Sequence, residues 1–190
     1  MLAAIVGTPM LIDHAARHGE LGYIIGTSIF AATMILLYLA STIYHALRPS
    51  QHKNFFHLID HIMIYLLIAG TYTPYTLGVL HGAWGWTLFG IIWGLAVTGM
   101  TLKIFKRMGH PVISTGLYLV MGWLMLVAIE PMFAKVSTLG LLWLLAGGIC
   151  YTVGVFFYAT DDRLRYGHSI WHLFVLAGTA SHYFAVWYAI

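Results

Sequence analysis

An all-α, polytopic membrane helix bundle is predicted by three observations. The chain of 190 residues is 61% hydrophobic and only 8% charged, whereas a soluble domain carries roughly a quarter charged residues. Its mean hydropathy is +0.85. Its apolar residues fall in continuous runs of about 20, without the alternation of a barrel strand, and in hydrocarbon only helices and closed barrels satisfy their own backbone. These features exclude a soluble globular domain, a nucleic-acid module and a disordered tail.

Each element follows from where the polar residues interrupt the apolar runs. Residues 1–12 form a short run ending at Asp13. Residues 21–47 form a long run closed by Arg48-Pro49-Ser50, and residues 58–80 the next, with His81-Gly82 as the turn. Residues 84–102 are stopped by Lys103, Lys106 and Arg107, and residues 111–129 by Glu130-Pro131. Residues 136–159 end before Asp161-Asp162, and residues 169–190 complete the chain. Six runs suffice for a ~30 Å hydrocarbon core at 1.5 Å per residue. The first covers only about 18 Å and reads as a short or truncated seventh helix. Pro74 predicts a kink in the third run. Trp84, Trp86, Trp123, Tyr72 and Tyr75 read as interface anchors or bundle packing. Gly94, Gly99, Gly147 and Gly148 read as close-packing positions.

Seven of the nine Lys and Arg lie in the 48–57, 103–110 and 160–168 loops, and only Arg17 and Lys135 lie elsewhere. The positive-inside rule places the first set in the cytoplasm, the N-terminus inside and the C-terminus outside. No Lys or Arg precedes the first run, which argues against a cleavable signal peptide. The single cysteine, Cys150, excludes a disulfide framework. No linker, low-complexity tract or clear repeat divides the chain, so residues 1–190 are read as one domain.

Eleven histidines stand against six acids, although histidine inside a membrane is costly without a partner or a role. His45 lies at the cytoplasmic end of the second run, with Ser41 one turn deeper on the same face. Asp60 lies just inside the third run. His168 opens the last run, with His172 one turn deeper. All five fall within ~10 Å of one membrane face. His-x-x-x-His on a helix presents two imidazoles side by side, and a third from another helix completes a three-histidine zinc site with an open position for water. Zinc would lower the pKa of that water. Asp60 could accept its proton or orient it, and Ser41 could bond a substrate oxygen or the water.

The spacing alone is weak, since His14/His18 and His57/His61 share it. His14/His18 reads as a solvated pair in a polar loop. His57/His61 straddles the start of the third run and could contain a ligand, and His61 can instead pair with Asp60 or a headgroup. His182, about 15 Å deeper than His172, reads as a bundle hydrogen-bonder. His52, His81 and His110 read as interfacial.

Ser41-Thr42-Ile43-Tyr44-His45, then Asp60, then His168-Ser169-Ile170-Trp171-His172 resembles the hemolysin III family. That family is grouped with the progestin and adipoQ receptors, which include the adiponectin receptors. Leu58-Ile59-Asp60-His61, Gly70-Thr71-Tyr72-Thr73-Pro74 and the pair Gly178 and His182 fit as well, and the small size and bare loops resemble a bacterial member. The likeness covers the chain from about residue 13; the shortened first helix departs from it. The resemblance implies seven transmembrane helices with the N-terminus in and the C-terminus out, and Zn2+ held by His45, His168 and His172. It implies Asp60 contacting that zinc through water with Ser41 beside it, and similarity to membrane hydrolases such as alkaline ceramidases.

Three functions compete. The first is a zinc hydrolase in the bacterial inner (plasma) membrane, cleaving an amide or ester of a membrane lipid such as a ceramide-like amide. The second is a non-catalytic, receptor-like or homeostasis protein with a closed, structural zinc. The third is a haemolytic pore-former, disfavoured because cytolysins are usually released whereas this chain is hydrophobic throughout. The hydrolase leads, because an open three-histidine zinc beside Asp and Ser is a catalytic arrangement. No nucleic-acid partner is expected.

Overall fold

The computed structural model describes residues 1–105 and 111–190. Lys106, Arg107 and His110, assigned above to the loop after the fourth run, lie outside the described residues. Every regular element among the described residues is helical. The chain divides into two compact units, Met1–Met121 and Gly122–Ile190.

The first unit holds α1 (Leu2–His18), α2 (Leu21–Ala46), α3 (Gln51–Thr73), α4 (Gly82–Ile104) and most of α5 (Pro111–Trp123). Helix α1 runs past the expected stop at Asp13. The Asp13 carboxylate pairs with Arg17 at 2.8 Å, one turn on, so the acid supports the helix instead of ending it. His14 and His18 therefore stand on a helix and not in a loop. Helix α3 starts seven residues before the expected residue 58. Ser50 caps it by accepting a hydrogen bond from the Lys53 amide at 3.3 Å, a polar helix start that a search for apolar runs passes over.

Helices α2 and α3 pack closely because α2 presents glycines where α3 changes form. Pro74 cannot donate to the ladder and its ring crowds the preceding turn. The backbone opens there into a π-helical turn, Pro74–Val79, in which the Leu80 amide reaches back five residues to the Tyr75 carbonyl at 2.8 Å. A Cβ on Gly26 would stand 2.6 Å from Pro74 Cα, so only glycine admits this turn against α2. Tyr23, Phe30, Tyr65 and Tyr75 are buried in the core of this unit. Tyr72 is buried too, and its hydroxyl donates to the Met121 carbonyl at 2.7 Å. Tyr72 and Tyr75 thus serve packing, whereas Trp84 and Trp86 are exposed. Gly99 is covered by the Tyr65 ring, while a Cβ on Gly94 would meet open space; Gly94 serves no packing among the described residues. His81, at φ 42°, and Gly82, at φ 59°, form the expected turn.

In the second unit the chain continues through a 3-10 turn, Leu124–Ala128, into α6 (Ile129–Lys135), then α7 (Thr138–Ala159) and α8 (Gly167–Trp187). Glu130-Pro131 was expected to end a run; both instead lie in the first turn of α6. Proline is tolerated there because those amides lack intrahelical partners anyway. Helices α7 and α8 pair as a hairpin. Tyr151 donates to or accepts from Thr179 at 2.8 Å, and Gly147 lies against the His182 ring.

Among the described residues, five stretches are long and apolar enough to cross a bilayer: Leu21–Ala46, Gln51–Val79, Gly82–Ile104, Ile113–Lys135 and Thr138–Ala159. Six full-length runs and a stub were expected. Helix α1 has only 17 residues. Helix α8 has 21, among them His168, His172 and His182, and these polar rings lower its hydropathy.

Candidate metal centre

In the second unit, the paired histidines stand on the first turns of α8. His168 and His172 are one turn apart, their rings edge to face with centroids 4.7 Å apart. Their Nε2 atoms lie 3.1 Å from each other. Two nitrogens bound to one tetrahedral zinc at about 2.0–2.1 Å lie about 3.3 Å apart, so this pair fits a shared ion. On the other edge of His168, Nδ1 lies 3.2 Å from the Asp161 Oδ2.

Among the residues singled out from the sequence, Asp161 was seen only as the end of a run. Its signal was an acid seven residues before the first histidine of the pair, in a loop, and spacing along a loop does not fix distance.

The first unit carries Ser41, His45 and Asp60 on α2 and α3. His45 is exposed in the last turn of α2. Its ring meets Tyr44 edge-on, centroids 4.7 Å apart. Ser41 is half-buried one turn earlier. Asp60 is half-buried; because α3 begins at Gln51, it is the tenth residue of its helix and not one of the first.

The remaining histidines separate by environment. The His57 and His61 rings meet at a tilt, centroids 4.3 Å apart, and His61 Nδ1 lies 2.9 Å from the His57 carbonyl, a bond available to any histidine at that helical spacing. His57 also faces Tyr44 at 5.2 Å. On α1, His18 Nδ1 lies 2.9 Å from the His14 carbonyl. His81 Nε2 stands 4.0 Å from Glu20. His182 was expected to be a hydrogen-bonder. Its ring instead stacks on Tyr151 at 5.4 Å, and its Nδ1 is buried with no hydrogen-bond partner among the described residues.

A chain whose described residues form only helices, five stretches of them bilayer-length and apolar, is an integral membrane protein. The family model described as Haemolysin-III related matches residues 1–183. "Hemolysin-3" from Bacillus cereus is 44% identical over 188 residues, 97% of this chain and 85% of the relative. "Hemolysin-3 homolog" from Bacillus subtilis is 44% identical over 186 residues, covering 98% and 87%. The human "Monocyte to macrophage differentiation factor" is 32% identical over 170 residues, covering 84% and 68%. No solved structure matches the chain. The chain belongs to the hemolysin III family.

Proposed function

We propose that this hemolysin III protein is a zinc-dependent hydrolase of a lipid amide or ester, set at the cytoplasmic face of the bacterial plasma membrane. In this reading α1 and α8 also cross, so that the chain spans seven times as one membrane domain, N-terminus in and C-terminus out. His45 of the first unit joins His168 and His172 of the second as zinc ligands. The observation that carries the reading is the 3.1 Å spacing of the His168 and His172 Nε2 atoms, which suits two ligands of one zinc and leaves coordination positions for His45 and water.

Zinc, when bound, supplies a Lewis acid and lowers the pKa of a coordinated water. Asp60 takes the proton from the attacking water and returns it to the departing amine or alcohol. The Ser41 hydroxyl donates to the carbonyl oxygen as it gains charge. The scissile bond of a lipid lies near its headgroup, and His45, in the last turn of α2, and His168, in the first turn of α8, lie at helix ends.

The test uses the purified full chain in detergent. It should carry about one zinc per chain and release fatty acid from a ceramide-like lipid. Asp60→Ala should keep the metal and lose the release. Equal fatty-acid release from both proteins would remove Asp60 from the mechanism. Zinc without turnover in either would leave the closed, structural site as the reading.

A further inference from the structure

The Asp161–His168 contact has no part in the roles given above, yet its geometry is that of a carboxylate behind a metal ligand. A neutral imidazole holds one proton on two nitrogens. With Nδ1–H donating to the Asp161 carboxylate at 3.2 Å, the lone pair is placed on Nε2. That is the nitrogen facing His172, 3.1 Å away. The opposite tautomer would put the proton on His168 Nε2 itself and leave that nitrogen no lone pair with which to hold an ion.

The loop holds Asp161 in place from both sides. The Arg163 and Leu164 amides both donate to the Thr160 carbonyl, at 3.0 and 3.1 Å, and the Gly167 amide donates to Leu164 at 2.9 Å. Gly167 itself is buried, and a Cβ there would stand 2.7 Å from Asp161 Cα. The absence of a side chain at Gly167 lets the loop fold back over the first turn of α8 and bring the carboxylate to the imidazole. The next acid, Asp162, is exposed.

We propose that Asp161 is a positioning residue for the metal: it fixes the tautomer and ring orientation of His168, so that Nε2 is presented to zinc. This rests on the zinc reading given above. Carboxylates that receive the second N–H of a ligating histidine orient the ring and make it a better donor, and losing one typically weakens metal binding about 10–100-fold.

The experiment measures zinc affinity of the detergent-purified full chain by competition with a chromophoric chelator, alongside the thermal midpoint. Asp161→Ala should bind zinc about 10–100-fold more weakly than wild type. Asp161→Asn, which keeps an acceptor oxygen, should fall between them. Gly167→Ala, which pushes on Asp161 without altering its carboxylate, should weaken binding in the same direction. Asp162→Asn removes the same charge one residue away and should leave affinity unchanged. Wild-type affinity in folded Asp161→Ala, or equal weakening by Asp162→Asn, overturns the assignment while leaving the zinc reading intact. A folded wild-type protein that holds no zinc at all overturns both.

Discussion

His45, His168 and His172 owe their proposed role to chemistry that can be removed one ring at a time. Each supplies a single nitrogen, and a three-ligand zinc site loses its hold when one is withdrawn. His45→Ala, His168→Ala and His172→Ala should each drop zinc content from about one per chain toward none, measured by elemental analysis of folded protein. Retention of full zinc by all three variants would refute the ligand set. His57→Ala, on a pair held by an i,i+4 backbone bond, should keep its metal. At this scale the sequence was informative about residue types and helix spacing: His168 and His172 are one turn apart on any helix, and the structure adds their 3.1 Å approach. Asp161 was not legible, because it lies in a turn whose path depends on Gly167 having no side chain.

Among the elements, the α2–α3 pair is the most exacting. Gly26 faces the backbone of Pro74 where the helix opens into its π-helical turn, and backbone cannot move aside as a flexible side chain can. Gly26→Val should cost about 1–3 kcal/mol through overpacking, seen as a lowered thermal midpoint in detergent. Gly94→Ala, into open space on α4, should leave that midpoint unchanged or raise it slightly, since alanine favours helix. Cores of elements were read correctly from apolar runs, and their ends were not. Helix α1 continued through Asp13, α3 began at the polar Gln51, and Pro131 sat inside a helix start. A side-chain ion pair supports α1, the Ser50 cap starts α3, and Pro131 occupies a first turn whose amides need no intrahelical partner; hydropathy carries no record of any of these.

At the scale of the whole molecule, the distribution of Lys and Arg makes the strongest claim. With seven basic residues in the segments 48–57, 103–110 and 160–168 and two outside them, a C-terminal alkaline phosphatase fusion should be active and a C-terminal fluorescent-protein fusion dark. The reverse pattern would invert the proposed orientation. The same experiment bears on α8, which must cross for the C-terminus to lie outside, although its histidines keep it from matching the five more apolar spans. The sequence by itself determined that this is a helical membrane protein of the hemolysin III family. Burial in lipid requires long apolar runs with internally bonded backbone, and the Ser, His, Asp and paired His residues stand in recognisable order. Only the tertiary structure decided which nitrogen of His168 faces His172, that Asp161 stands behind it, and that Pro74 packs against Gly26. Those facts depend on distances between atoms several residues or a whole helix apart, and such distances are set by packing and turn geometry instead of by composition or period.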